Sequence, residues 1–111
     1  AKQFSDERSL NAVEELISLA QEAGMSITHM AMAFVMAHPG VTSALLGPRT
    51  MQHLDDLLAG AEVRLSEDVL DRIDQIVPPG IDVGLNQANY MPPALVTPAL
   101  RRRSQVERAA A

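Results

Sequence analysis

The sequence predicts an α/β chain, mostly helical, with one short β-strand at about 41–46. Three observations carry this. Apolar residues recur at helical spacing in four stretches, each with a capping or stop signal beside it. Between the second and third stretches lies an uncharged run, Val41-Thr42-Ser43-Ala44-Leu45-Leu46, with glycine on both sides. The length, 111 residues, allows one small domain at most.

The first helix is expected over 10–23. Leu10, Val13, Leu16, Ile17, Ala20 and Ala23 form its stripe, Asn11 and Glu14 resemble a capping box, and Gly24 suits the position just past its end. Ser26 offers an N-cap for a second helix, whose stripe is Ile27, Met30, Ala31, Phe34 and Val35. That helix is apolar nearly all round, which predicts burial on more than one side. Pro39-Gly40 ends it. The run at 41–46 is β-branched at its start and fits a parallel strand buried on both faces. Gly47-Pro48-Arg49-Thr50 is a turn, and Thr50 can cap a third helix with Leu54, Leu57, Leu58 and Ala61 facing inward. Ser66 caps a fourth, with Glu67 and Asp68 in its first turn, where the helix dipole favours anions. Val69, Ile73, Ile76 and Val77 form its inner face, and Pro78-Pro79-Gly80 stops it. Beyond residue 80, Gly84, Pro92, Pro93 and Pro98 break any regular element. Residues 1–80 therefore read as the structured part, and residues 81–111 as a tail that is extended or partly disordered.

Composition excludes several classes. With no cysteine, the chain forms no disulfide, no thiolate zinc site and no cysteine nucleophile. No apolar run reaches the ~18–20 residues of a membrane helix, and the first ten residues read as too polar for a signal peptide. A cytoplasmic protein is the expectation. Net charge is −5 and uneven: residues 1–80 carry five cations against twelve carboxylates, and residues 81–111 four arginines against two. An acidic body disfavours nucleic-acid binding, which needs clustered cations. The one basic cluster, Arg101-Arg102-Arg103, reads as solvated tail.

The chemistry concentrates where the strand meets the third helix. Free N–H groups at a helix N-terminus favour an anion. Gly47 permits close approach of a ligand to the backbone. Arg49 adds a planar cation suited to bidentate phosphate contact, and Thr50 can cap the helix or donate its hydroxyl to the same phosphate. His29, His38 and His53 read as helix-surface or packing residues, and their spacings of nine and fifteen residues do not suggest a metal site.

Residues 11–80 resemble the C-terminal part of an aldo/keto reductase. The resemblance rests on Ala31-Met32-Ala33-Phe34-Val35-Met36-Ala37-His38-Pro39-Gly40-Val41-Thr42-Ser43, on Ala44-Leu45-Leu46-Gly47-Pro48-Arg49-Thr50, and on His53-Leu54-Asp55-Asp56-Leu57-Leu58-Ala59. It implies that the chain is a C-terminal fragment of a (β/α)8 TIM barrel, with 41–46 as the eighth strand. It also implies a site for the adenosine end of NADP(H): Arg49 on the 2′-phosphate, Thr50 beside it and Gly47 at the close approach. On the following helix the family often places Gln, an acid and Asn, where this chain has His53, Asp56 and Leu57. Asp56 keeps the acid, which can accept from the adenine amino group. His53 is polar with a different reach, and Leu57 cannot hydrogen-bond.

The family reduces aldehydes and ketones by hydride transfer, with a tyrosine as proton donor supported by lysine, aspartate and histidine. None of the four is recognisable here, since the only lysine is Lys2 and the only tyrosine Tyr90. A (β/α)8 barrel takes ~250 residues, and one lone strand leaves unpaired N–H and C=O groups on both edges. The expectation is a part of a larger reductase, from gene truncation or a fragmentary reading frame. Such a part carries the 2′-phosphate end of the cofactor site and takes NADPH and a carbonyl substrate only if the rest of the barrel is supplied. The alternative is a small helical interaction module without catalytic activity. A helix-turn-helix reading of Ala20-Gln21-Glu22-Ala23-Gly24-Met25-Ser26 is disfavoured, because the helix at 27–38 has no Lys or Arg to meet phosphates.

Overall fold

The computed structural model describes residues 7–80 together with Pro93, Thr97 and Leu100. Four helices occur among them: α1 (Glu7–Glu22), α2 (Ile27–Met36), α3 (Met51–Ala59) and α4 (Glu67–Ile76). They fall into two compact units, Ala1–Ile27 with Ser66–Met91, and Thr28–Leu65 with Pro92–Ala111.

In the first unit α1 packs against α4. Ala12, Leu19 and Ala20 of α1 are buried, as are Leu70 and Ile73 of α4. The stripe expected on α1 is therefore rotated. Leu19 and Ala20 are each 1% exposed, while Leu10, Val13 and Ile17 are exposed. The apolar surface of α1 is wider than the face that α4 covers. Asn11 is interior to α1 and not its cap, because nothing from Glu7 to Leu10 breaks the helix. At the other end the sequence reads correctly. Gly24 has φ +75°, and the Met25 N–H donates to Ala20 O at 3.0 Å while the Gly24 N–H donates to Gln21 O at 3.1 Å. That pair is a Schellman closure, and it needs the left-handed backbone that glycine adopts without strain. Ser66 caps α4 by accepting from the Val69 N–H at 3.3 Å. The helix stops at Val77, held at φ −128°, ψ 92° as a residue before proline must be. Arg72 of α4 donates to the Glu22 carboxylate at the end of α1. This hydrogen bond, and then the charge of the guanidinium, hold the Glu22 carboxyl below the ordinary glutamate value.

The second unit holds most of α2, the connection after it, and α3. Met30 and Ala33 are the buried side chains of α2, while Val35 and Met36 are exposed. Burial on more than one side, expected for this helix, is not met by the described residues. His38 closes the C-terminus of α2: its Nδ1–H donates to Phe34 O at 2.8 Å, and its ring meets Phe34 edge-on at 4.8 Å. The Phe34 carbonyl, in the last turn of α2, thus accepts from the His38 ring as well as from the Ala37 N–H at 3.2 Å.

Residues 41–46, where a strand was expected, adopt no regular structure, and no strand occurs among the described residues. A strand exists only as part of a ladder, and nothing described pairs with this segment. Leu45 is 97% exposed. The tail expected at 81–111 lies outside the described residues, apart from Pro93, Thr97 and Leu100. The Leu100 side chain comes against Gly40, 3.3 Å from where a Cβ would stand.

Candidate functional site

Gly47, Arg49, Thr50, His53 and Asp56 are all exposed, on the turn before α3 and on α3 itself. Thr50 is the N-cap of α3, with extended backbone (φ −131°, ψ 163°). Its Oγ1 accepts from the His53 N–H at 3.0 Å, and its carbonyl accepts from the Leu54 N–H at 3.1 Å. The hydroxyl hydrogen remains available to a ligand, so capping and phosphate contact are compatible roles for one side chain. His53 thus enters the site through its backbone, while its ring is exposed.

Gly47 has open space where a side chain would stand, with nothing within 4 Å of a built Cβ. Among the described residues no hydrogen bond or ion pair engages Arg49. A cation, an open backbone position and a helix N-terminus follow one another within a few residues. This donor set suits a phosphate monoester: the guanidinium supplies charge and two parallel N–H groups, and the helix start supplies backbone N–H groups and a favourable dipole.

Asp56 is held differently. The Nε2–H of His29, on α2, donates to the backbone carbonyl of Asp56 at 2.8 Å. The same nitrogen lies 3.3 Å from the Asp56 carboxylate Oδ1. The His29 side chain is 17% exposed and that of Asp56 is 59% exposed. Gly60, the C-cap of α3, makes room for the ring: a Cβ there would stand 2.5 Å from His29 Cδ2. Sequence reasoning read His29 as a helix-surface or packing residue, without a partner for it, and overlooked Gly60. The one available signal was a glycine directly after the α3 pattern, which reads only as an ordinary helix end. Leu57, where the resemblance places an asparagine, is half-buried.

A family model described as the aldo/keto reductase family matches residues 2–78. The chain belongs to the aldo/keto reductase family. The match contains the whole turn from Gly47 to Thr50 and all of α3. The chain is 37% identical over 73 residues to Protein tas of Escherichia coli (strain K12) and of Shigella flexneri, a stretch covering 66% of this chain and 21% of each relative. It is 33% identical over 66 residues to the uncharacterized oxidoreductase YrpG of Bacillus subtilis (strain 168), covering 60% of this chain and 20% of that protein. The chain thus spans about a fifth of the length of these relatives. Membership in the family implies the (β/α)8 barrel, to which four helices and an unpaired segment at 41–48 contribute one part. No helix among the described residues is long and apolar enough to cross a membrane. No group of three or more metal-ligating side chains occurs among them.

Proposed function

We propose that this aldo/keto reductase chain carries the adenosine 2′-phosphate end of an NADPH site, and that the assembled cytoplasmic protein reduces aldehydes or ketones. Residues 1–80 are the barrel part and 81–111 a tail. Protein tas and YrpG, the latter named an oxidoreductase, support the reaction class through family membership alone. The observation that carries the cofactor reading is the turn itself: Arg49 is exposed beside a capped helix start, after a glycine that faces open space. Bound NADPH would supply a hydride. The residues of this chain bind and orient its far end. Arg49 neutralises the 2′-phosphate, Thr50 adds a hydroxyl donor, Gly47 lets the backbone come close, and His53 and Asp56 line the adenosine side. The four residues that would assist proton transfer to the carbonyl are not recognisable in this sequence, so the isolated chain is inactive in hydride transfer.

Binding of NADPH and NADH to the isolated chain and to Arg49→Ala, by calorimetry, tests this. A charge-assisted hydrogen bond contributes about 1.5–3 kcal/mol. The chain should therefore prefer NADPH by roughly tenfold to a hundredfold, at about 1.4 kcal/mol per decade. Arg49→Ala should lose that preference and leave NADH binding unchanged. Equal binding of the two cofactors by the unaltered chain, or none at millimolar NADPH, refutes the reading. The second reading, a helical interaction module, draws on the exposed Met51 and Leu58 of α3. A monomeric chain that ignores both cofactors would favour it.

A further inference from the structure

We propose that His29 is a positioning residue for the cofactor site, fixing α3 from the neighbouring helix. This rests on the reading of Arg49, Thr50 and Asp56 given above. Three observations converge. The His29 Nε2–H donates to Asp56 O at 2.8 Å and lies 3.3 Å from Oδ1 of the same residue. One ring nitrogen thereby holds both the backbone and the carboxylate of Asp56. At Gly60 a Cβ would stand 2.5 Å from Cδ2 and 3.1 Å from Nε2 of the ring. The end of α3 therefore comes so close to the ring that only glycine fits. Finally, α3 has no buried side chain of its own. With little packing to fix it, the helix takes its place from its end contacts. The cap at Thr50 secures its start, and His29 secures its last turns, where Asp56 must face the adenine.

His29 touches neither phosphate nor base in this arrangement; it acts through Asp56. Removing it should loosen the end of α3 and, through this short helix, blur the placement of Arg49 and Thr50.

The experiment uses the full chain with His29→Ala, His29→Gln and Gly60→Ala. Amide exchange is followed by NMR without cofactor, and NADPH affinity by calorimetry. A typical net hydrogen bond corresponds to roughly three- to tenfold in an equilibrium constant. His29→Ala should speed exchange of the Leu58 and Gly60 amides by that factor and weaken NADPH by a similar one. His29→Gln, whose amide can reach the Asp56 carbonyl, should restore both. Gly60→Ala should reproduce the loss with α2 unaltered, since the Gly60 backbone (φ −82°) suits alanine and only the ring is displaced. Combining Gly60→Ala with His29→Ala should add nothing, as expected for two changes to one contact. Unchanged exchange in His29→Ala overturns the tether. Altered exchange with unchanged NADPH affinity overturns the positioning role. If the unaltered chain fails to bind NADPH while His29→Ala still speeds exchange, the cofactor reading falls and the tether stands.

Discussion

Thr50 joins the fold of this chain to its proposed chemistry, and its loss has a residue-specific signature. Two N–H groups depend on it in different ways. The His53 N–H donates to its side-chain Oγ1 and the Leu54 N–H to its backbone carbonyl. Thr50→Val keeps the β-branched shape and removes only the hydroxyl. Loss of an N-cap oxygen costs about 1 kcal/mol, within a range of roughly 0.5–2, and that is about fivefold in the opening equilibrium of the first turn. The effect should be felt fully here. The nine residues of α3 bury no side chain, and an isolated helix shorter than ~12–15 residues is marginal. Amide exchange should therefore quicken about fivefold at His53 and much less at Leu54, whose acceptor survives. NADPH affinity should fall with it, because the helix start forms part of the proposed anion site. Thr50→Ser should behave like the unaltered chain in both assays. Equal quickening at His53 and Leu54 would show that the substitution perturbs α3 in some general way and that the cap does not hold its first turn. An unchanged NADPH affinity alongside a melted first turn would remove α3 from the cofactor site.

Two further predictions concern the first unit. Leu19→Ala should lower stability by about 2–5 kcal/mol, whereas Ile17→Ala should cost under ~1 kcal/mol, because Leu19 is buried between α1 and α4 and Ile17 is largely exposed. Thermal melts of equal midpoint for the two variants would place the contact elsewhere. The ion pair of Glu22 with Arg72 has a pH signature, since the arginine lowers the Glu22 pKa. A group that is more acidic in the folded state stabilises it above its ordinary pKa and loses that contribution as pH falls through the lowered value. Acid should weaken the chain through Glu22 in low salt, modestly because the pair is exposed. Glu22→Gln should remove that part of the slope in urea midpoints taken across the acid range. An identical slope in the variant rules out the pair as its source.

Local chemistry decides which parts of this fold are readable from sequence. The caps at Thr50 and Ser66, the Schellman glycine at Gly24 and the stops before Pro39 and Pro78 all act within a few residues, and each is found where the sequence places it. The Asn11–Glu14 pattern has the spacing of a capping box but lies inside α1, because the pattern is short enough to recur within a helix. Burial on α1 was misread for another reason. Helical spacing identifies an apolar band, and the neighbours decide which part of that band is covered; Leu19 and Ala20 are buried, and Leu10 and Val13 are not. The turn from Gly47 to Thr50 and the cap at Thr50 were legible because a turn and a helix start are contiguous in sequence. The contact of His29 with Asp56 was not, since the two lie 27 residues apart. Nothing in the local pattern of a helix histidine points across such a distance.

The segment at 41–46 shows what this leaves unsupported. It is uncharged and β-branched at its start, which is the composition of a buried strand, yet it forms no ladder and Leu45 is almost wholly exposed. β-propensity expresses fit to a pleated, half-buried surface, and the surface itself must come from other strands. The turn at Gly47 follows directly, so in an assembled barrel it would be anchored from two sides, by a paired strand before it and by α3 after it. Among the described residues only the second anchor exists, through the Thr50 cap and the His29 contact. Pairing of 41–46 with neighbouring strands would fix the backbone of Gly47 and Pro48 and reduce the ordering cost that a bound phosphate must otherwise overcome. The isolated chain should therefore retain the preference for a 2′-phosphate, which depends on the charge of Arg49, while falling short of the full affinity, which depends on the rigidity of the turn.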